Sequence, residues 1–154
     1  MSNQIAVKAY VEAALQARRF AVLATEGDGQ PHASLIAITP IGGFRQLVFA
    51  TYRSTRKYRN LALNGKVAVL IDGQESNSSG LPERFVLTAL GHAEEIGIEE
   101  NEAARRAHLE RHPDLESFLR SADCALVRVT VREYQVVRAI DDVKWWRIDD
   151  LAAT

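Results

Sequence analysis

Hydrophobic positions in this chain repeat first at helical spacing and then, from residue 20 onward, mostly at the two-residue spacing of strands. Val7, Val11, Ala14 and Leu15 share one face of a helix, and Ser2 or Asn3 is placed to cap its first turn. Phe20 to Thr25 is an apolar β-rich run, Gly27-Asp28-Gly29 supplies turn chemistry, and Pro31 to Thr39 forms the second arm of a hairpin. Pro40-Ile41-Gly42-Gly43 reads as another reversal, and Gln46 to Thr51 as a third strand with Leu47 and Phe49 on one face.

Ser54 or Thr55 then caps a short helix on which Tyr58, Leu61 and Ala62 recur at helical spacing, ending at Asn64-Gly65. Lys66 to Ile71 is a fourth strand. Gly73 to Pro82, rich in Ser, Gly and Asn, is loop. Arg84 to Ile96 reads as a long fifth strand that bulges or bends at Gly91. Glu99, Glu100 and Glu102 favour a helix start, and Arg111 and His112 its end before Pro113. A short apolar turn follows at Leu115, Phe118 and Leu119. Alternation of Val127, Val129 and Val131 with Arg128, Thr130 and Arg132 opens the last β segment, which runs through Tyr134 and Val136 to Trp146. The hairpin spacing excludes a doubly wound parallel sheet. The expectation is one mainly β (α+β) domain over residues 1–154, an antiparallel barrel of about six strands with peripheral helices. Six strands enclose little interior, which places a ligand outside the barrel.

Composition narrows the classes. With 154 residues, 47% hydrophobic, 25% charged and a net charge of -1, the chain has the make-up of one globular domain. It lacks the basic excess that would draw nucleic acid or anionic lipid. The lone Cys124 has no disulfide or CxxC partner and reads as a small core residue. No apolar run approaches the ~20 residues of a membrane span, so a cytoplasmic setting with no membrane partner is expected.

Chemistry concentrates in Thr51-Tyr52-Arg53-Ser54-Thr55-Arg56-Lys57-Tyr58-Arg59. A strand here runs through hydroxyls and cations into a helix start, where unpaired backbone N–H groups already favour an anion. From physics alone the segment is equally a solvated cationic helix face with ordinary capping. It lacks stacking residues other than Tyr52 and Tyr58, which argues against nucleic acid. His108 and His112 stand one turn apart, but Glu110 does not directly follow the first histidine and Pro113 ends the helix, so no metal site is assigned. His32 either polarises a ligand or is a hydrogen-bonded structural histidine. No GxGxxG, GK[ST] or GxSxG motif occurs.

Asp28-Gly29-Gln30-Pro31, His32-Ala33-Ser34-Leu35-Ile36, Phe49-Ala50-Thr51 and Arg56-Lys57-Tyr58-Arg59-Asn60-Leu61 together resemble the FMN-binding split barrels of the pyridoxamine 5'-phosphate oxidase-like family. Pro31 to Leu35, Arg84 to Ala93 and Arg111-His112-Pro113 are similar to the N-terminal domain of haem-utilisation proteins. Where that branch carries a glycine-rich run before a tryptophan, this chain has Val137 to Trp145, and it stops at Thr154 without the C-terminal domain of many members. The resemblance implies a homodimeric FMN-dependent oxidoreductase acting on a small molecule, with a haem-binding protein or a non-catalytic flavin binder as the alternative. It implies that Ser34, Leu35 and Ile36 border the isoalloxazine ring and that Thr51, Thr55, Arg56 and Lys57 hold the phosphate. Trp145 either covers the flavin of the other subunit or anchors an interface with Trp146.

Overall fold

A computed structural model describes the backbone of residues 3–74 and 84–153. Ser2, the Asn3 side chain and most of the Gly73 to Pro82 loop lie outside the described residues, which leaves the cap of the first helix undescribed. The elements run α1 (Asn3–Ala17), β1 (Phe20–Gly27), β2 (Gln30–Ala37), β3 (Thr39–Ile41), β4 (Gln46–Tyr52), α2 (Arg56–Leu63), β5 (Lys66–Gln74) and β6 (Arg84–Ile96). There follow α3 (Glu102–Arg111), a 3-10 turn (Pro113–Leu115), α4 (Glu116–Arg120), β7 (Cys124–Ala139), β8 (Asp142–Arg147) and α5 (Ile148–Ala152).

All pairings are antiparallel, in one eight-stranded sheet of order β2-β1-β5-β6-β7-β4-β3 with β8 added on β7. This is the antiparallel α+β barrel that the hydrophobic pattern implied, with two strands more, and the split barrel that the family resemblance implied. Pro40 and Ile41, read as part of a reversal, belong to β3, because only Gly42 and Gly43 take the positive φ of the turn. The run ending at Trp146 is two strands, parted at residues 140–141. Helix α5 had no counterpart in the sequence pattern.

Gly91 is the bulge point, since the β6 to β7 register shifts between Leu90 and Gly91. A Cβ there would lie 2.3 Å from the Thr130 carbonyl oxygen, so only glycine lets the two backbones approach. The bend lets β7 pair with β4 over residues 124–130 and with β8 over 133–139. Leu23, Ile38, Leu47, Phe49, Val69, Ile71, Leu87, Val127 and Val129 fill the interior, capped by Val11, Ala14 and Leu15 of α1. Tyr134, also enclosed, donates its hydroxyl to the Phe44 carbonyl at 2.6 Å, which satisfies the polar end that burial would otherwise strand. Cys124 is a buried core residue whose thiol pKa is raised by desolvation, as its inert reading requires.

The barrel is split between β2 and β4. Asp28 and Gly29 take φ of 52° and 80°, the two-residue turn that matches strand twist. Residue pairs in such a hairpin alternate between bonded and non-bonded. The Ile38 N–H donates to Arg19 O at 2.9 Å, so even-numbered residues of β2 bond β1. The N–H and C=O groups of Leu35 and Ala37 therefore face the open edge.

Candidate functional site

A cavity of about 270 Å³ occupies that split. One wall is the free edge of β2 at Leu35, Ile36 and Ala37, and the facing wall is the end of β4 at Ala50, Thr51 and Tyr52. Thr55 and Lys57 close one end, while Phe20, His112, Leu115 and Phe118 form an aromatic and apolar side that also carries the Asp114 carboxylate, 3.7 Å from the Arg19 guanidinium. Tyr52 and Phe118 stack with ring centres 4.3 Å apart, fixing that side to the end of β4.

The segment from residue 51 to 59 divides its side chains between structure and site. Arg53 pairs with Glu95, which also accepts from the Tyr58 hydroxyl, and Arg53 donates to Ala122 O at 3.1 Å. Ser54 donates to Asp123 at 2.9 Å. Both residues thus tie the loop to the start of β7. Thr55 is the N-cap of α2: its hydroxyl accepts from Tyr58 N at 3.3 Å, donates to Tyr52 O at 2.8 Å, and lies 3.0 Å from the Thr51 hydroxyl. That cap leaves the N–H groups of Arg56 and Lys57 at the helix start without an intrahelical acceptor. No carboxylate pairs with Lys57 among the described residues. This end of the cavity thus presents the Lys57 ammonium and helix-start N–H beside two hydroxyls already engaged with Tyr52 O and with each other, a cationic helix start that suits a phosphate.

Five of the eight residues singled out in the sequence, namely Leu35, Ile36, Thr51, Thr55 and Lys57, meet on this cavity. Arg56 is exposed on the next helix position and its side chain does not line the cavity. Ser34 shares a face of β2 with Ile36 but does not line the cavity, its Oγ enclosed without a partner. Trp145 lies on β8, half exposed, on the opposite face from Trp146, which packs against the core. The two tryptophans therefore do not form one patch. His32 is away from the cavity, and its Nδ1 is enclosed without a partner, so the expected structural hydrogen bond is not made there.

Sequence reasoning missed the wall at residues 111–118. Arg111 Nε donates to Ile38 O at 3.1 Å and His112 Nε2 to the same oxygen at 2.8 Å. Arg111 also donates to Leu15 O, Gln16 O and Arg18 O at 3.0, 3.0 and 2.6 Å, collecting the carbonyls at the end of α1. The metal-like spacing of His108 and His112 has this use instead: His108 Nδ1 lies 2.7 Å from the Thr39 hydroxyl, and the rings pack 4.8 Å apart. Burial pushes the His108 pKa down to about 4 and lowers that of His112. Both rings are neutral at pH 7.

A family model described as Pyridoxamine 5'-phosphate oxidase matches residues 7–138. No curated protein matches. Among solved structures, a heme binding protein from Mycobacterium smegmatis superposes with a TM-score of 0.78 at 24% identity, over 95% of this chain and 60% of that one. Campylobacter jejuni ChuZ gives 0.77 at 10% identity, over 94% and 61%. An FAD-binding protein from Mesorhizobium loti gives 0.67 at 16% identity, over 82% and 90%. This chain spans about 60% of the length of the first two of these. With the split barrel, the cationic helix start and a model match over most of its length, the chain belongs to the pyridoxamine 5'-phosphate oxidase family.

Proposed function

We propose that this protein binds FMN in the split between β2 and β4 and works as a flavin-dependent oxidoreductase on a small molecule. The observation that carries the reading is the cavity itself, which joins a phosphate-type donor set at Thr51, Thr55 and Lys57 to an unpaired strand edge at Leu35 and Ala37. A planar ring with alternating donors and acceptors suits that edge, and the aromatic side at Tyr52 and Phe118 suits its faces. Arg56 contributes its N–H and, from the exposed side, its charge. Bound FMN would supply the hydride or electron transfer, while this chain orients the ring and neutralises the phosphate.

A homodimer belongs to the same reading. Val22 stands opposite both Leu35 and Leu70 in the sheet, and with Phe20 these make an outward apolar stripe, 36 to 68% exposed. A second copy of the chain would cover it and close the open side of the cavity. Trp145, half exposed on β8, is the residue we assign to covering the partner's flavin. A cytoplasmic setting is supported by the single buried thiol. Among the described residues no helix is long and apolar enough to cross a membrane.

Titration with FMN and riboflavin tests the reading. A charge-assisted hydrogen bond is worth about 1.5 to 3 kcal/mol, so Lys57→Ala should weaken FMN about ten- to a hundredfold and leave riboflavin nearly unchanged. Arg56→Ala should act in the same direction with a smaller loss, its side chain being exposed. Equal affinities of the wild type for FMN and riboflavin would remove the phosphate role of this segment. Haem is the second reading, suggested by the similarity to the heme binding protein from Mycobacterium smegmatis. A Soret band on adding haemin, with no binding of FMN, would replace flavin by haem.

A further inference from the structure

His112 is 1% exposed and forms part of the cavity wall beside Phe20, Leu115 and Phe118. Its Nε2 contacts a carbonyl oxygen, which only accepts, so Nε2 carries the ring proton. Arg111 donates to that same oxygen and holds it in place. In the neutral ring Nδ1 is then a bare acceptor. Nε2 of His108 is enclosed without a partner, whereas His112 is a residue of the cavity wall whose Nδ1 receives no hydrogen bond from the described residues. An acceptor with no protein donor would lose its contact with water once a ligand filled the cavity, so a ligand gains by bringing a donor to it.

Resting on the flavin reading of the cavity, we propose that His112 Nδ1 accepts a hydrogen bond from the imide N3–H of the flavin ring, which makes His112 the residue that selects an unsubstituted imide. The oxidised isoalloxazine ring is rich in acceptors and has a single ring N–H, at N3. The ribityl hydroxyls are the molecule's other uncharged donors, and they lie next to the phosphate. Thr51, Thr55 and Lys57 hold the phosphate end of the cavity, and His112 stands on its aromatic and apolar side. The backbone edge of β2 offers the ring's oxygens their N–H donors, and His112 offers the acceptor that N3–H needs.

The test is a cycle of two ligands and two proteins, with FMN and 3-methyl-FMN titrated against the wild type and His112→Phe. The wild type should bind FMN about tenfold tighter than 3-methyl-FMN, and His112→Phe should bind the two alike. If methylation weakens binding by the same factor in both proteins, His112 does not receive N3–H and the inference is overturned, with the flavin reading intact. If neither protein binds FMN, both readings fall together. Should His112→Phe not fold, 15N-histidine NMR of the wild type decides. The unprotonated Nδ1 resonance of His112 should move upfield with FMN and stay with 3-methyl-FMN, and an equal response to both ligands refutes the inference.

Discussion

Replacing Arg111 by alanine removes a guanidinium that joins three separate parts of the fold. Its donors reach the carbonyls of Leu15 and Gln16 at the end of α1 and of Arg18 just beyond it, the Gln16 side chain at 3.3 Å, and the Ile38 carbonyl at the break between β2 and β3. The cation also sits at the negative end of α1. Hydrogen bonds from charged donors are worth about 1.5 to 3 kcal/mol each when buried. Here the residue is only half-buried, and Arg111 NH2 divides its two hydrogens among three carbonyls, so the bonds count as about two full ones. The expected loss is about 3 kcal/mol. For a domain of this size that lowers Tm by roughly 6 to 12 °C. Arg111→Lys keeps the charge but not the fork, and should recover less than half of the loss. Differential scanning calorimetry of the three proteins reads this directly. A change in Tm under about 2 °C for Arg111→Ala, or full recovery in Arg111→Lys, would refute the argument that planar geometry holds this corner.

Stability should also fall in mild acid because of His108. Its pKa is lowered from 6.5 to about 4 in the folded protein by burial, so below pH 6.5 the unfolded chain takes a proton that the folded one refuses. The loss begins at pH 6.5, reaches about 2 kcal/mol at pH 5 and levels off below about pH 4, and the lowered pKa of His112 adds in the same direction. Urea midpoints between pH 7.5 and 5 measure it, and a His108→Gln protein that kept the full slope would assign the effect elsewhere. Leu70→Glu places a charge in the outward stripe of Val22, Leu35 and Leu70 and should convert the proposed dimer into a folded monomer, seen by light scattering with an unchanged circular dichroism spectrum. A wild type that is itself monomeric at micromolar concentration with FMN present would remove the dimer from the proposal.

The sequence made visible what depends on neighbouring residues. Thr55 caps α2 through an atom three residues away, and the turn at Asp28-Gly29 closes on itself, so spacing narrowed the cap to Ser54 or Thr55 and placed the turn within Gly27-Asp28-Gly29. The bulge at Gly91 was also legible, because a glycine inside a strand pattern marks a close approach whatever it approaches. The roles within Arg53 to Arg59 were not legible. Four cations look alike in a row, and only the fold sets Glu95 against Arg53, leaves Arg56 outside and turns Lys57 to the cavity.

The wall at residues 111–118 lies beyond reach of any local pattern for the same reason. Arg111 and Leu15 are 96 residues apart and His112 and Ile38 are 74 apart, and nothing near either end announces the other. Two histidines four residues apart invite a metal in a sequence, since the spacing puts both rings on one helix face. What decides their chemistry is the partner each nitrogen meets. A carbonyl at Ile38 fixes the proton on Nε2 of His112, and a hydroxyl at Thr39 occupies Nδ1 of His108, so the pair that resembles a metal site becomes a clamp on the break between β2 and β3. Because His112 of that clamp also lines the cavity, the residues that fix the break between β2 and β3 also form part of the cavity wall.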